Sequence, residues 1–420
     1  MAKAERGVNR RQFLKGATVA AAGLAVVPSH VLSGPAAARP SEVFTVGIIG
    51  CGGQSGEDVN SYIKGWGAEF KVLAVADVDS RRLPGACKRW GEPCQGYTDF
   101  RRVMERKDIQ IISVATPPHW HAVVACAAAE SGKDILCEKP MTKFIAEGRA
   151  VVQAVQRYGR VFQIGTSQRF GQYTTPHSRL TRKIMMSGLL KNCTAVYIVN
   201  GGMSVKRYCG IVRPQPEPVP QGFDWDFYCG PAPLRPFHRD RFGWNHRFYW
   251  DIEGAGLTDL GAHAMDPFCW TYGKDETSPV EIEAYAPPSH PEACWVWGWA
   301  EMKFADGLTL VLNGNEWGPR YDRKQSRGVQ LGDLDAESQK KLAELPDPER
   351  PLTFPEAVRT RRPSGGHAEA AHRAVTNLHL ANIAIRMGRK IKYDPIKEQV
   401  IGDDEANRLV NQPMRAPWHI

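Results

Sequence analysis

Residues 46–56 read Val-Gly-Ile-Ile-Gly-Cys-Gly-Gly-Gln-Ser-Gly. An apolar strand here runs into a glycine turn, and residues 57–65 that follow are helix-like. Gly50 and Gly52 hold the first two places of G-x-G-x-x-G, and Ser55 holds the third, between Gly53 and Gly56. Small residues in such a turn let backbone amides and a helix N-terminus approach a pyrophosphate. The next apolar run, Phe70–Ala76, ends at Asp77. A carboxylate there is placed to accept a ribose hydroxyl and repels a 2′-phosphate, so NAD is favoured over NADP, although Arg81 and Arg82 stand close by.

The alternation continues outward. Residues 80–90 are helical with basic residues outward. Ile109–Ala115 is a continuous apolar strand of the kind covered on both faces. His121–Ser131 is helical, Asp134–Cys137 a strand, Ile145–Tyr158 a long helix and Val161–Ile164 a further strand. Strand–helix alternation on this scale predicts a parallel doubly wound sheet over residues 42–165. After Gly165 the texture changes. Thr194–Asn200 and Val280–Ala286 read as strands. Cys294–Phe304 and Leu308–Asn313 read as a hairpin about Ala305-Asp306-Gly307. These predict a second, α+β domain over 166–388, with a mostly antiparallel sheet and a helix at 367–387. A Pro-rich excursion, Pro214–Pro236, interrupts it, Arg323–Arg350 reads as surface loop with a short helix, and residues 389–420 form a C-terminal tail.

Before the nucleotide turn stands a different signal. Residues 9–15 read Asn-Arg-Arg-Gln-Phe-Leu-Lys, followed by an apolar run to Val27. This is a twin-arginine export address, read by the export machinery of folded proteins. Ala17–Val27 is too short to span a bilayer. Ala36-Ala37-Ala38 offers a cleavage site, so residues 1–38 are expected to be removed, an uncleaved anchor being the alternative. The expected location is the periplasm or another exported compartment. No obvious pool of free nucleotide exists there, so the cofactor is expected to travel tightly bound.

The 420 residues are 42% apolar, enough for two packed domains, and carry a formal charge of +9, of which residues 1–38 hold +4. The remainder is a mildly basic surface without a Lys/Arg run, and no nucleic-acid partner is expected. The ten cysteines show no CxxC or Cys/His metal spacing, and no metal site is predicted. Most read as buried thiols; Cys87 and Cys94 are near enough in sequence to leave a bridge open.

Three further segments carry candidate chemistry. Thr116-Pro117-Pro118-His119-Trp120-His121 follows the central apolar strand, where parallel-sheet loops form a nucleotide crevice; capping or packing is an equal reading for His119 and His121. Glu138-Lys139-Pro140 follows the next strand, and its ammonium would stabilise a developing alkoxide, although the tripeptide alone is common. Leu257-Thr258-Asp259-Leu260-Gly261-Ala262-His263 places Asp259 and His263 four apart on a helix, where a carboxylate tunes an imidazole for proton transfer; a structural His and a first-turn Asp is the competing reading. The candidate nucleotide contacts are thus Gly50, Gly52, Gly53, Gln54, Ser55, Asp77, Thr116, Pro117, His119, His121, Glu138 and Lys139.

Taken together, these residues resemble the glucose–fructose oxidoreductase / inositol dehydrogenase / MocA family from Val43 to Ile420. The strand-end Asp77, the Glu-Lys-Pro lysine Lys139 and the Asp-x-x-x-His pair Asp259/His263 match that family's motifs in order, and Ser55 is the one departure. Thr116–His121, Gly222–Pro236 and Gly402–Trp418 are similar to exported bacterial members. The resemblance implies a Rossmann domain, an open-sheet domain used in homo-oligomer contacts, and hydride exchange between NAD and a sugar carbon. It implies His263 as general base or acid, Asp259 as its orienting carboxylate and Lys139 as the group polarising the reacting oxygen. His379 is a further candidate for the cleft, and Phe248-Tyr249-Trp250 is either a sugar platform or core. The leading expectation is an exported sugar oxidoreductase. The alternative is a glycoside hydrolase or epimerase that oxidises, eliminates and reduces on retained NAD. A sugar-binding protein on a former enzyme scaffold is the third.

Overall fold

The computed structural model describes residues 43–212 and 215–420. The twin-arginine segment and its cleavage site lie outside these described residues.

Apolar β-branched runs form the first sheet: β1 (Val43–Ile49), β2 (Glu69–Ala76), β3 (Gln95–Tyr97), β4 (Ile111–Val114), β5 (Asp134–Cys137) and β6 (Phe162–Ile164). All neighbours pair in parallel, in the order β3-β2-β1-β4-β5-β6. Chain order reverses between β1 and β4, so their carboxyl ends open a crevice, the usual ligand position in such sheets. Helices α1 (Glu57–Tyr62), α2 (Leu83–Trp90), α3 (His121–Glu130) and α4 (Ile145–Arg157) accompany the strands. Separate apolar clusters, one around Ile112 and Val124 and one around Ile48 and Val75, fill the two faces.

The second sheet runs β12-β11-β8-β9-β10-β7. Its strands are β7 (Val196–Asn200), β8 (Glu281–Tyr285), β9 (Trp299–Lys303), β10 (Thr309–Asn313), β11 (Ile391–Asp394) and β12 (Gln399–Val400). Every pairing is antiparallel except β10 with β7. Residues 389–420, expected as a tail, therefore begin by supplying two strands of this sheet.

Helix α5 (Ala255–Asp259) and helix α6 (Gly261–Thr271) are separate elements. The expectation of one continuous helix through Asp259 and His263 is corrected here. The His263 amide donates to the Leu260 carbonyl, while the Asp259 carbonyl that a regular helix would offer it accepts from Lys139 Nζ at 3.2 Å. Helix α7 (Ala368–Met387) is buried nearly all round, as a helix inside a protein must be to lack a polar face. Ala368, Ala371 and Val375 pack into the core of the parallel sheet, and Leu378, Leu380 and Ile385 into that of the second. This helix joins the two lobes, and residues 43–420 form one compact unit.

All ten cysteines are free thiols. Cys87 and Cys94 lie within hydrogen-bonding reach of each other without a bridge.

Candidate active site at the crevice between the sheets

A cavity of about 370 Å³ lies at the carboxyl ends of β1 and β4. Gly50 turns the chain out of β1 with φ +98°, donates to the Ala76 carbonyl at 2.8 Å, and would drive a Cβ to 2.5 Å from the Ala115 carbonyl oxygen. Only glycine fits such a position. Gly52, Gly53 and Gln54 line the cavity, and a Cβ on Gly53 would meet nothing within 4 Å, so its backbone faces open space. Asp77 is held across the turn: its carboxylate accepts from the amides of Cys51 (2.7 Å) and Asp79 (2.8 Å). Burial raises its pKa against those bonds. Arg82 reaches within 3.7 Å of Asp77 and lies over the Phe242 ring. Thr116 Oγ1, on the cavity wall, is buried with no hydrogen-bond partner. A strand-end carboxylate, an open glycine cradle and an orphaned hydroxyl fit a dinucleotide.

Glu138 and Lys139 also line this space. Glu138 accepts from the Lys139 amide at 3.1 Å and is engaged by Gln54. Behind it Asp58, on α1, is fully buried. Burial, then the charge and hydrogen bond of Glu138, push its carboxyl well above the usual range.

Lys139 crosses to the other lobe. Its Nζ donates to Asp259 Oδ1 as well as to the Asp259 carbonyl. Asp259 Oδ2 accepts from Tyr208 Oη at 2.5 Å and faces Arg247 Nε at 2.9 Å. Burial would raise the Asp259 carboxyl, but Lys139, Arg247 and Tyr208 outweigh it and hold the group below its usual range. His263 is not hydrogen-bonded to Asp259. Its Nδ1 is 3.0 Å from Gln168 Nε2, and Gln168 Oε1 accepts the Ser167 amide, which turns the Gln168 NH2 toward the ring. Gln168 therefore donates to Nδ1. Burial, then the Lys139 charge, hold the imidazole below its usual pKa, so the ring is neutral at pH 7.

The far wall comes from the irregular stretch 227–253: Phe227, Tyr228, Phe242, Trp244, His246, Arg247 and Glu253. Of these seven, only Phe227 and Tyr228 fall in a segment singled out from the sequence, Gly222–Pro236. The aromatic side chains on this wall are Phe227, Tyr228, Phe242 and Trp244; of the segment expected as platform or core, Tyr249 and Trp250 are buried core, and Phe248 packs against Tyr208 and Trp244.

Three expected nucleotide contacts lie off the cavity. Ser55 is buried, and its carbonyl accepts from Arg89. His119 Nε2 donates to the Tyr228 carbonyl at 2.8 Å, and His121 sits between the carbonyls of Pro140 (2.8 Å) and Thr116 (2.7 Å). Burial pushes His119 down to about 3 and His121 to about 4. The short 3-10 turn Pro118–Trp120 leaves both rings in the interior. His379 likewise bonds the Thr142 carbonyl from within α7.

Residues 44–166 match the model of an oxidoreductase family with an NAD-binding Rossmann fold, and residues 176–420 match that family's C-terminal alpha/beta domain. Residues 7–27 match a twin-arginine translocation signal, which indicates export by that route. Levoglucosan dehydrogenase of Pseudarthrobacter phenanthrenivorans is 32% identical over 116 residues, 28% of this chain and 28% of that protein. Inositol 2-dehydrogenase of Salmonella typhimurium is 30% identical over 125 residues, 30% of this chain and 37% of its own. The chain thus spans about a third of the length of these curated relatives. Among solved structures, the WlbA dehydrogenase of Chromobacterium violaceum, in complex with NADH and UDP-GlcNAcA, superposes with a TM-score of 0.54 at 15% identity, over 85% of this chain and 97% of its own. The aldose-aldose oxidoreductase of Caulobacter crescentus does so with 0.50 at 17% identity, over 83% and 99%. At these identities the superpositions establish the fold, and the two matched family segments establish the kinship: this chain belongs to the glucose–fructose oxidoreductase / inositol dehydrogenase / MocA oxidoreductase family.

Proposed function

We propose that this is an exported, NAD-dependent oxidoreductase acting by hydride transfer on a sugar or sugar derivative, with its working location in the periplasm. The observation that carries the reading is the Lys139–Asp259 contact, which joins the nucleotide lobe to the second lobe at one cavity. NAD, held by the 50–54 turn and by Asp77, would supply the hydride acceptor.

The chain's own groups divide the remaining work. Lys139, fixed by Asp259, holds the reacting oxygen and stabilises negative charge on it. His263 is the base: a substrate hydroxyl takes the place of the Gln168 amide and gives its proton to Nδ1. Asp259 positions Lys139 directly and His263 only through its charge.

Tight retention of NAD is part of the proposal. The segment 222–230 closes over the nucleotide lobe: the Ser80 amide donates to the Gly222 carbonyl at 2.9 Å and the Asp224 amide to Val78 at 3.0 Å. Phe227, on the cavity, stacks on Trp418 at 5.5 Å and 8°. A retained cofactor favours a second reading, a redox-neutral epimerase or glycoside hydrolase. Homo-oligomer contact is assigned to the open face of the second sheet, where Tyr285, 40% exposed, stacks on Trp299 and Trp317.

Mass spectrometry of ligand released by heat from the purified protein tests retention, with NAD as the expected species. A panel of hexoses and methyl glycosides, followed by absorbance of the reduced nucleotide and by chromatography of products, tests the activity. Lys139→Met should lower turnover about a hundredfold or more. Turnover unaffected by that change would remove Lys139 from the reaction.

A further inference from the structure

Beyond helix α8 (Asp404–Val410) the chain runs without helix or strand through Pro413-Met414-Arg415-Ala416-Pro417-Trp418. Pro413 and Pro417 have no amide hydrogen to give a ladder. Ala406 and Val410, on α8, are buried in the core of the second lobe, whereas Met414 and Trp418 pack against the core of the parallel sheet. The segment therefore crosses from one lobe to the other.

What it reaches there is specific. Trp418 stacks on Phe227, with centroids 5.5 Å apart and planes at 8°. It meets Trp120 edge-on at 4.6 Å and lies 6.4 Å from Phe100. These three rings all line the cavity, and Trp418 stands behind them. Phe100 follows closely on Tyr97, whose carbonyl accepts the Asp77 amide at 3.0 Å, so this wall adjoins the strand-end carboxylate. Arg101 lies over both Phe227 (5.8 Å) and Trp418 (5.6 Å) and is held by Asp99 at 2.9 and 2.6 Å.

Arg415 fastens the segment. Its amide donates to the Pro231 carbonyl at 2.9 Å, and its guanidinium to the carbonyls of Gly230 (2.9 Å) and Asp226 (2.7 Å) and to the Asp226 carboxylate (3.0 Å). These acceptors flank Phe227 and Tyr228 on the cavity wall. Among the described residues, that Arg415 amide makes the one backbone–backbone bond from residues 412–418 to the rest of the chain. A segment held mainly by side chains opens locally at less cost than a sheet or a buried helix.

We propose that residues 412–418 form a latch, keyed by Trp418, whose local opening sets the rate at which the bound dinucleotide leaves. This rests on the retained-NAD reading above and names the residues that control it. With the latch shut, Phe227 is supported from behind by a stacked ring. With Trp418 lifted, Phe227 keeps only Trp120 at 5.5 Å, edge-on, and Phe100 at 6.3 Å, and the wall can swing outward. A tryptophan serving the core alone would touch core rings, yet every aromatic neighbour of Trp418 is a wall residue. It is thus a positioning residue for the nucleotide wall. An enzyme that leaves the cytosol folded keeps its nucleotide only if this opening is slow.

The test loads the full-length protein with NAD and chases it with a large excess of fluorescent 1,N6-etheno-NAD. Fluorescence polarisation reads nucleotide exchange, and hydrogen exchange reads the amides of Arg415 and Trp418. Trp418→Ala is expected to release NAD about tenfold faster, the effect of losing one stacked pair and its edge contact. Trp418→Phe, which keeps a ring, should restore most of the wild-type rate. Arg415→Met should speed release in the same sense without altering any ring. In wild type the two amides should exchange more slowly with NAD bound than without it. Urea denaturation of each NAD-free variant separates loss of the fold from loss of the latch, and Arg415→Met serves alone if Trp418→Ala does not fold. If a folded Trp418→Ala or a folded Arg415→Met releases NAD at the wild-type rate, or if NAD leaves the two amides unprotected, the latch is overturned while retention survives. If wild type purifies empty and exchanges the analogue within the mixing time, the retention reading falls and takes the latch with it.

Discussion

Replacing Asp259 by Asn removes one charge and almost no volume, and the structure sets the size and sign of the effect. The carboxylate is 6% exposed and Lys139 12%. Lys139 and Arg247 are both cations, and Asp259 is bonded to the first and 2.9 Å from the second. Breaking a buried pair by neutralising one member costs about 3–5 kcal/mol, because the partner charge stays buried. The Asn oxygen still accepts one bond, from Tyr208 or Lys139, which recovers about 1 kcal/mol. A loss of about 2–4 kcal/mol at neutral pH follows. Its pH dependence follows from the lowered Asp259 pKa. A carboxyl depressed in the folded state contributes stability above its unfolded value, about 3.9, and loses it as pH falls through the lower folded value. The difference between wild type and Asp259→Asn should thus be full at pH 7 and shrink as pH falls below about 4. Urea denaturation at a series of pH values, with m checked for constancy, measures it. Equal stability at pH 7, or a difference that does not narrow in acid, would show that this carboxylate does not neutralise the two cations. Turnover of the variant should drop by a factor of about 100–1,000, since Lys139 loses the partner that aims it.

Gly50→Ala must hold a Cβ at φ +98° and 2.5 Å from the Ala115 carbonyl oxygen, so NAD affinity measured by calorimetry should fall at least tenfold, about 1.4 kcal/mol. For His263, held below its usual pKa, kcat/KM should be constant at neutral pH and fall as acid protonates the ring, with an inflection below about 6.5; His263→Gln should abolish that limb. Asp58→Asn offers Glu138 a donor and cannot ionise. The wild-type carboxyl is raised in the folded state, so it contributes stability below its unfolded value and loses it as pH rises toward the folded one. The variant should therefore match wild type near pH 4 and exceed it by about 1–3 kcal/mol in mild alkali, read by denaturation at both pH values.

The parallel sheet was legible because burial on both faces makes its central strands apolar runs, as in Ile111–Val114 and Asp134–Cys137. The same runs locate their own carboxyl ends, and so Gly50, Asp77, Thr116 and Lys139. They do not give side-chain direction. His119 and His121 sit in the right loop, but the turn at Pro118 points them into the core, where backbone carbonyls satisfy them. Spacing misled differently at Asp259 and His263. Four-residue arithmetic assumes that each carbonyl belongs to its own helix, and Lys139 takes the Asp259 carbonyl from 120 positions away.

What the sequence hid was the far wall. Trp244, His246, Arg247 and Glu253 lie in 3-10 turns and coil, where no period of 2 or 3.6 marks a face. Their signal is instead compositional: Trp-Asn-His-Arg-Phe-Tyr-Trp-Asp-Ile-Glu packs aromatic, cationic and anionic side chains into residues 244–253. Such a run is poor both as core and as solvated loop. It becomes stable when the aromatics are buried on one side, as Tyr249 and Trp250 are, and the charges meet an opposite lobe on the other, as Arg247 meets Asp259. A dense mixture of that kind beside an Asp-x-x-x-His segment is thus a signature of a cavity wall.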